Sequence, residues 1–259
     1  MSSHPDVALE PVSADAPPLT GPILMNQDWR DLTYLHWAIE PERVAHLMPP
    51  GVRPDVHDGA TYVGLVLFRM VDAGFGRRTT VPYFGSFLET NVRLYSVDAQ
   101  GRRGVVFLSL DADRLAVVLA ARAGFAVPYR WARMSYEREA RADGVRHTYR
   151  ASLRWPGVRG ASTVSVLAGE PRESTPLDDF LSARFRLHTS LVGRTLRIPN
   201  EHGRWPLHDA EVLELDDDLV ASVGLPGLSG PGTSGRAPDH VAFSPGVHTR
   251  FGLPQRVRP

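Results

Sequence analysis

Apolar and polar residues alternate along much of the chain, in short stretches separated by turn residues. Residues 31–39 and 87–97 alternate with a period of two, which is typical of a strand with one buried face. Residues 61–70 are apolar almost throughout, and this pattern predicts a strand buried on both faces. The same reasoning predicts further strands over 104–111, 132–139, 147–155, 162–169, 186–191, 208–215 and 241–252.

Helical patterns interrupt these strands in a few places. A short helix is predicted over 41–49, and a longer one ends where Gly124 stops it. A third is predicted over 175–185, which has a proline and two acids in its first turn. Short strands joined mostly by hairpins, with two or three inserted helices, predict an α+β domain built mainly on an antiparallel sheet.

One compositional boundary lies near the start of the chain. Residues 1–22 are rich in proline, alanine and serine, and they are predicted to form a disordered tail. Residues 23–259 contain no internal repeat and no interior linker. We therefore expect them to form a single domain.

The formal net charge is zero, and the chain contains no cysteine. Without an excess of positive charge, general electrostatic binding to nucleic acid is not expected. The lack of cysteine excludes disulfides, thiolate metal sites and a cysteine nucleophile. No apolar run reaches the roughly 18 residues of a membrane span, and the N-terminus lacks a signal-peptide pattern. We therefore expect a cytoplasmic protein with no membrane partner.

All 29 residues counted as lysine or arginine are arginines. The arginine side chain stays protonated and is not a useful amine nucleophile, so no side chain of this protein can form a Schiff base. The N-terminal amine is the remaining amine, and it lies on the predicted tail.

A polar face on one predicted strand is the first candidate site. Glu89, Asn91, Arg93 and Tyr95 alternate with apolar residues, so their side chains project to the same side about 7 Å apart. If this face lines a cavity, it is a binding surface for a polar small molecule, with Arg93 available for a carboxylate. The alternative is the solvated face of an ordinary antiparallel sheet.

The segment AARAGFAVPYRWARM, residues 120–134, is the second candidate. Pro128 favours an extended conformation at Val127, and we expect the chain to remain extended afterwards. Tyr129 and Arg130 then point to opposite sides, so only one of them can enter a given pocket. In the alternative interpretation the segment is a plain connection, with Tyr129 packed and Arg130 in solvent.

Several histidines are further candidates, and His36, which lies beside Trp37 on the first strand, is included among the expected binding residues. His188, His202 and His208 have no assigned role. Their spacing does not match a metal motif, so neither a metal nor another cofactor is predicted.

The order of these elements resembles the acetoacetate decarboxylase superfamily: a strand with F-L-E, a hairpin, a strand, a helix ending in A-R and a proline-containing loop. With Pro128 aligned, Arg122 matches the family arginine, Tyr129 takes the place of the Schiff-base lysine, and Arg130 that of the second lysine. Glu89 is similar to the pocket glutamate. The remaining loop positions depart from the family pattern at Ala121, Ala123, Ala126 and Val127.

A closer resemblance is to the YqjF-like family of uncharacterised bacterial proteins in the same superfamily. It rests on stretches such as DGATYVGLVLFRM, FLETNVRLY, DDFLSARFRLHT and HGRWPLHDA, within residues 26–215. The resemblance implies a curved antiparallel sheet that forms a cone-like half-barrel with a central pocket. It does not imply a reaction.

Three functions remain open at this point. The first is a small-molecule binding protein for oxo- or hydroxy-acids without imine decarboxylase activity. The second is an acid–base enzyme with Glu89 and Tyr129 as catalytic residues. In both, the expected binding residues are Arg93, Asn91, Arg122, Arg130, His36 and Tyr95. The third is a homo-oligomeric interaction module in which the polar sheet face is a subunit contact.

Overall fold

The computed structural model describes residues 7–77, 79–125, 127–230 and 235–257. These residues contain three α-helices, α1 (Glu42–Ala45), α2 (Leu115–Phe125) and α3 (Pro176–Ser182), and a 3₁₀ helix at Ala221–Val223. The strands are β1 (Ile23–Ile39), β2 (Val52–Pro54), β3 (Thr61–Phe75), β4 (Phe87–Asp98), β5 (Arg103–Ala112), β6 (Tyr129–Arg141), β7 (Gly144–Leu153), β8 (Ala161–Arg172), β9 (Arg186–Leu191), β10 (Arg194–His202), β11 (Leu207–Asp217), β12 (His240–Gly252) and β13 (Gln255–Arg256).

Nine of these strands form a closed barrel rather than the expected half-barrel. Their order is β5-β6-β7-β8-β11-β12-β1-β3-β4, and pairing between β4 and β5 closes the circle. Most neighbours are antiparallel, but β5 is parallel to β6. The helix α2 makes this parallel pair possible, because it carries the chain back across the sheet between the two strands.

Apolar side chains fill the barrel. Leu35 and Trp37 of β1, Leu65 of β3 and Val92 and Leu94 of β4 are almost completely buried there. Successive side chains of a strand point to opposite faces. The alternate residues of the same three strands therefore point away from this core.

A second, smaller ring of strands encloses the space on that other side. β9 pairs with both β5 and β10, and β10 pairs with β12. These pairings give a closed ring in the order β5-β9-β10-β12-β1-β3-β4, which we call the small ring. It shares five strands with the barrel, so the central pocket that the family resemblance implied lies beside the filled barrel.

The described part of the segment before β1 contacts the sheet, and the predicted disordered tail over residues 1–22 stays a prediction. Residues 1–6 lie outside the described residues, and residues 7–22 form no helix or strand. Glu10 nevertheless receives hydrogen bonds from Arg103 and from both terminal nitrogens of Arg186. These contacts place residues 7–22 against the sheet. The extent of the domain, 23–259, stays a prediction.

The local patterns predicted most elements but missed some. β1 begins eight residues earlier than expected, at Ile23, and β3 continues five residues beyond its predicted end, to Phe75. β10 was not predicted, since Pro199 interrupts an already irregular pattern. The short strands β2 and β13 are edge pieces of two or three residues, too short to show any periodicity.

Candidate functional site

A cavity of about 620 Å³ occupies the small ring. Each of the seven strands contributes to its wall, and α2 covers it with the small side chains Ala116, Ala120 and Ala121. Most of the wall is apolar, with Leu32, Val66, Phe68, Met70, Phe107, Leu110, Ile198 and Phe251 among its side chains. A cavity of this size and character is typical of a binding site for a small organic molecule.

The polar face of β4 supplies polar groups to this cavity. Glu89, Asn91 and Arg93 all line it, while Val92 and Leu94 fill the barrel on the opposite face. The strand alternation therefore sorts these side chains as the sequence predicts. Tyr95, the next residue of the same face, does not line the cavity and lies fully buried behind Arg93.

Tyr129 enters the cavity beside Glu89. Its hydroxyl donates a hydrogen bond of 2.7 Å to Glu89 Oε2, and both side chains line the wall. Burial raises the pKa of Glu89 to about 7, against the opposing effect of the Tyr129 hydrogen bond. Burial is the larger cause, and the neighbouring Glu89 carboxyl the smaller one, that raise the pKa of Tyr129 well above its ordinary value. The pair can therefore hold or release a proton near neutral pH at Glu89, while Tyr129 remains a hydrogen-bond donor.

Arg93 is a cavity-lining cation without an acidic partner. Its Nε donates to the hydroxyl of Tyr95 at 3.1 Å, and its Nη2 donates to the carbonyl of Leu181 at 3.0 Å. The guanidinium also lies over the ring of Tyr34, 5.5 Å from its centroid. Among the described residues, no carboxylate lies within 4.0 Å of it. Neutral contacts thus fix the guanidinium in place and leave its charge available to a ligand.

A chain of hydrogen bonds extends from Arg93 away from the cavity. The Tyr95 hydroxyl contacts Nε2 of His36 at 2.6 Å, and Nδ1 of His36 contacts Nδ1 of His240 at 3.0 Å. Nε2 of His240 then contacts Asp178 Oδ1 at 2.7 Å. Because Arg93 can only donate, the Tyr95 oxygen accepts from it and its own hydrogen is free to bond His36. Burial lowers the pKa of His36 well below its ordinary value, so His36 is neutral in this chain.

Other polar atoms of the cavity wall lack a hydrogen-bond partner among the described residues. These buried atoms are Trp29 Nε1, Tyr34 Oη, Asn91 Oδ1, Arg184 Nη2 and Asn200 Oδ1. Buried polar atoms are nearly always paired, and an unpaired one costs about 1–3 kcal/mol. Nine further unpaired buried atoms belong to described residues that do not line the cavity, so these five do not by themselves identify a binding site.

Two of the expected binding residues do not reach the cavity. Arg130 points to the opposite side of β6 from Tyr129, where it forms a buried two-point ion pair with Asp111 at 2.5 and 2.8 Å. Arg122 lies at the end of α2, where it donates to the Tyr129 carbonyl and contacts the ring of Trp155. Neither side chain lines the cavity, so the expectation that these arginines bind a ligand stays a prediction that this geometry does not support.

Two others lie behind Arg93, away from the cavity. His36 and Tyr95 are buried and belong to the hydrogen-bond chain behind it. They do not line the cavity. Ala126, one of the loop positions compared with the superfamily pattern, lies outside the described residues.

The sequence reasoning missed several residues of the wall. Arg184 and Asn200 line the cavity, as do His202 and Trp205, which had no assigned role. His202 is buried, and burial lowers its pKa to about 4. His188 is instead bonded to Ser96 outside the cavity. Arg184 lay inside a predicted helix, and Asn200 lay in an unpredicted strand, so neither carried a recognisable signal.

A family model and one curated relative match the sequence of this chain. The family model described as an uncharacterized conserved protein family, DUF2071, matches residues 26–248. The chain belongs to the DUF2071 family. It is 28% identical over 188 residues to the uncharacterized protein YqjF of Bacillus subtilis (strain 168), a match that covers 73% of this chain and 76% of YqjF.

Solved structures with the same fold resemble this DUF2071 protein at low sequence identity. The enduracididine biosynthesis enzyme MppR, in complex with the condensation product of pyruvate and imidazole 4-carboxaldehyde, has a TM-score of 0.58 at 15% identity, covering 92% of this chain and 90% of MppR. The acetoacetate decarboxylase of Legionella pneumophila subsp. pneumophila str. Philadelphia 1 has a TM-score of 0.57 at 13% identity, covering 94% and 92%. At these identities the likeness establishes the fold, which is that of acetoacetate decarboxylase.

Two features are absent from the described part of this DUF2071 protein. None of its helices has the length and apolar character of a membrane span. Nowhere in the same residues do three histidine or acidic side chains gather as ligands for a metal ion.

Proposed function

We propose that this DUF2071 protein binds a small carboxylic acid that also carries an oxo or hydroxy group, in the cavity of the small ring. The carboxylate contacts Arg93. The observation that carries this proposal is Arg93, which lines the cavity and whose guanidinium is held by neutral acceptors with no acidic partner among the described residues. A partly buried cation of this kind is stabilised by an anionic ligand.

Imine decarboxylation is not part of the proposal. The residue that follows Pro128 is Tyr129, and the sequence contains no lysine that could serve from elsewhere. A phenol cannot form an iminium, whereas it can donate a hydrogen bond to a carbonyl oxygen. We therefore expect the cavity to hold carbonyl acids without releasing carbon dioxide from them through a Schiff base.

Isothermal titration with a panel of oxo- and hydroxy-acids tests the binding proposal. The variant Arg93→Gln removes the cation, and Arg150→Gln removes an exposed arginine that pairs with Glu137 far from the cavity. A hydrogen bond to a charged group contributes about 1.5–3 kcal/mol, so we expect roughly 10- to 100-fold weaker binding for Arg93→Gln and no change for Arg150→Gln. Equal affinities of the two variants would contradict the proposal.

A second function, acid–base catalysis next to a carbonyl, is favoured by one specific contact. Glu89 and Tyr129 are in direct hydrogen-bond contact, and Glu89 has a pKa near 7. A carboxylate of this pKa is suited to remove a proton at neutral pH, while the phenol stabilises the developing enolate oxygen. Exchange of the protons beside the ligand carbonyl for deuterium, followed by NMR, measures this activity. We expect Glu89→Gln to abolish the exchange, and exchange that persists unchanged would remove Glu89 from the role of base.

The third function, an interaction module, is less well supported. Glu89 is only 3% exposed in the single chain, so its burial requires no partner. Assembly into a homo-oligomer and a cytoplasmic location stay predictions.

A further inference from the structure

Arg184 is a second cation in the wall of the cavity. It lines the cavity, and its side chain is only 3% exposed. Its Nε donates to the carbonyl of Phe180 at 2.5 Å, and its Nη1 donates to Asp55 Oδ2 at 2.6 Å. Nη2 is buried and has no hydrogen-bond partner among the described residues. Of the three nitrogens, Nη2 is therefore the one that remains for a ligand.

The end of α3 holds Arg184 close to Arg93. Phe180 and Leu181 are consecutive residues, and their carbonyls accept hydrogen bonds from Arg184 and Arg93 respectively. Both guanidinium groups also lie near the ring of Tyr95, with Cζ of Arg184 5.0 Å and Cζ of Arg93 5.4 Å from its centroid. The two Cζ atoms cannot be farther apart than the sum of these distances. The two cations therefore lie together in one part of the wall, which we call the arginine end.

The positive charge of the arginine end exceeds the negative charge around it. Asp55 pairs with Arg184, but the same carboxylate also accepts two hydrogen bonds from Arg103, at 2.5 and 2.6 Å. Burial lowers the pKa of Arg184, and the attraction of Asp55 is a smaller opposing effect. Arg93 has no acidic partner among the described residues. Three guanidinium groups thus face one carboxylate, and two formal positive charges remain.

The other titratable groups nearby do not remove this excess. Glu10 is paired with Arg186 at 2.5 and 2.9 Å. Glu89, the acid of the cavity wall, is bonded to Tyr129, and with a pKa of about 7 it is about half protonated at neutral pH. Burial lowers the pKa of His202 to about 4, so this residue is neutral. An excess of charge in a mostly apolar wall is stabilised by a ligand of opposite charge.

We propose that the ligand of this cavity is a dicarboxylic acid, with one carboxylate on Arg93 and the second on Nη2 of Arg184. This inference rests on the proposed function and narrows its ligand from an oxo- or hydroxy-acid to a diacid of that kind. Two carboxylates supply the two negative charges that the arginine end lacks, and each accepts hydrogen bonds from a guanidinium group. Arg184 then determines specificity, because it distinguishes a diacid from a monoacid of the same length.

Pairs of 2-oxo acids of equal length test the second carboxylate. 2-Oxoglutarate has a carboxylate where 2-oxopentanoate has a terminal methyl group, and 2-oxoadipate differs from 2-oxohexanoate in the same way. We expect the better diacid to bind at least about tenfold more tightly than its monoacid, because a charge-assisted hydrogen bond is added. Isothermal titration with the natural protein measures this ratio.

Two variants assign the gain to Arg184. Arg184→Gln and Arg103→Gln each remove one guanidinium group from Asp55, but Arg103 does not line the cavity. We expect the diacid-to-monoacid ratio to fall to about one in Arg184→Gln and to stay unchanged in Arg103→Gln. Thermal unfolding checks that both variants are folded. If Arg184→Gln is not, Arg184→Lys keeps a cation for Asp55 without the guanidinium fork, and the ratio should fall at least about threefold.

The outcomes separate this inference from the function on which it rests. If the monoacids bind, lose affinity in Arg93→Gln and are matched by the diacids, the second carboxylate is overturned and the proposed function stands. If Arg184→Gln weakens monoacids and diacids equally, both arginines hold one carboxylate, which also overturns the diacid. Inorganic phosphate that binds as tightly as the better diacid would show that the two cations hold one compact dianion instead. If none of the acids binds, the proposed function itself fails and the inference with it.

Discussion

The ionisation of Glu89 should make the stability of the protein depend on pH in a specific way. Burial in the cavity wall raises the pKa of Glu89 from 4.5 to about 7. In the unfolded chain the carboxyl returns to its ordinary pKa. Between these two values the folded protein holds a proton that the unfolded chain has released, so the free energy of unfolding falls as the pH rises.

The size of this effect follows from the shift. One pKa unit corresponds to about 1.4 kcal/mol, so Glu89 should cost the folded state about 3 kcal/mol at a pH above 7, relative to a pH below 4.5. The loss begins near the unfolded pKa and is complete above the folded one. Glu89→Gln removes the titration and keeps an oxygen that can accept the Tyr129 hydrogen bond. The variant should therefore become more stable relative to the natural protein as the pH rises.

Urea unfolding at several pH values between about 4 and about 8.5 measures this difference. Other groups also titrate in this range: burial lowers the pKa of His147 and His202 to about 4, so they destabilise the fold as the pH falls below 6.5. Subtracting the natural protein from Glu89→Gln cancels their contribution. Glu137→Gln, at an exposed position, is the matched control.

A flat difference curve would contradict a raised pKa of Glu89 in the folded protein. If Glu89→Gln and the natural protein differ by the same free energy at every pH, Glu89 titrates alike in the folded and unfolded states. Its burial would then carry no penalty for the charge. A carbon-13 NMR titration of the Glu89 carboxyl reads the folded pKa independently.

Two further predictions concern the frame of the site. Arg130→Leu leaves the buried carboxylate of Asp111 unpaired, so urea unfolding should show a free energy of unfolding lower by about 3–5 kcal/mol. The control variant Arg133→Leu, at an exposed position, should change it little. A decrease below about 1 kcal/mol for Arg130→Leu would contradict this prediction. Gly246 has φ of 122°, and an added Cβ would lie 1.8 Å from a backbone oxygen of β1. Gly246→Ala should therefore lower the free energy of unfolding by about 2 kcal/mol or more. Gly203→Ala, whose added Cβ meets nothing within 4 Å, should not lower it. Similar melting temperatures for the two variants would show that the strands around Gly246 adjust to the added Cβ.

Local alternation was sufficient to predict the polar face of β4. Glu89, Asn91 and Arg93 share one face because strand side chains alternate, and this holds whatever the rest of the chain does. The same applies to Tyr129 and Arg130, which are neighbours on an extended segment. The Tyr129 side chain points into the cavity, and the Arg130 side chain points to the opposite side, toward Asp111. Predictions that depend on two or three residues of backbone geometry could be made from the sequence.

Features that depend on pairing between strands distant in the sequence could not be predicted from the sequence. Arg130 reaches Asp111 only because β5 and β6 lie side by side in parallel, a pairing made across the whole of α2. The small ring requires β9 to join β5 through a single residue pair and β10 to join β12. The alternation of apolar and polar residues within one strand does not indicate which distant strand it pairs with. The closed barrel and the cavity wall that contains Arg184 could therefore not be predicted.

The arrangement of the two rings also explains how unpaired polar atoms of the cavity-lining residues can persist. β1, β3 and β4 carry the cavity on one face and the tightly packed barrel core on the other. Burial of the core side chains, such as Trp37, Leu65 and Val92, fixes the position of these strands independently of what the cavity holds. Polar residues on the second face can therefore be unsatisfied in the free protein without loosening the strands that present them.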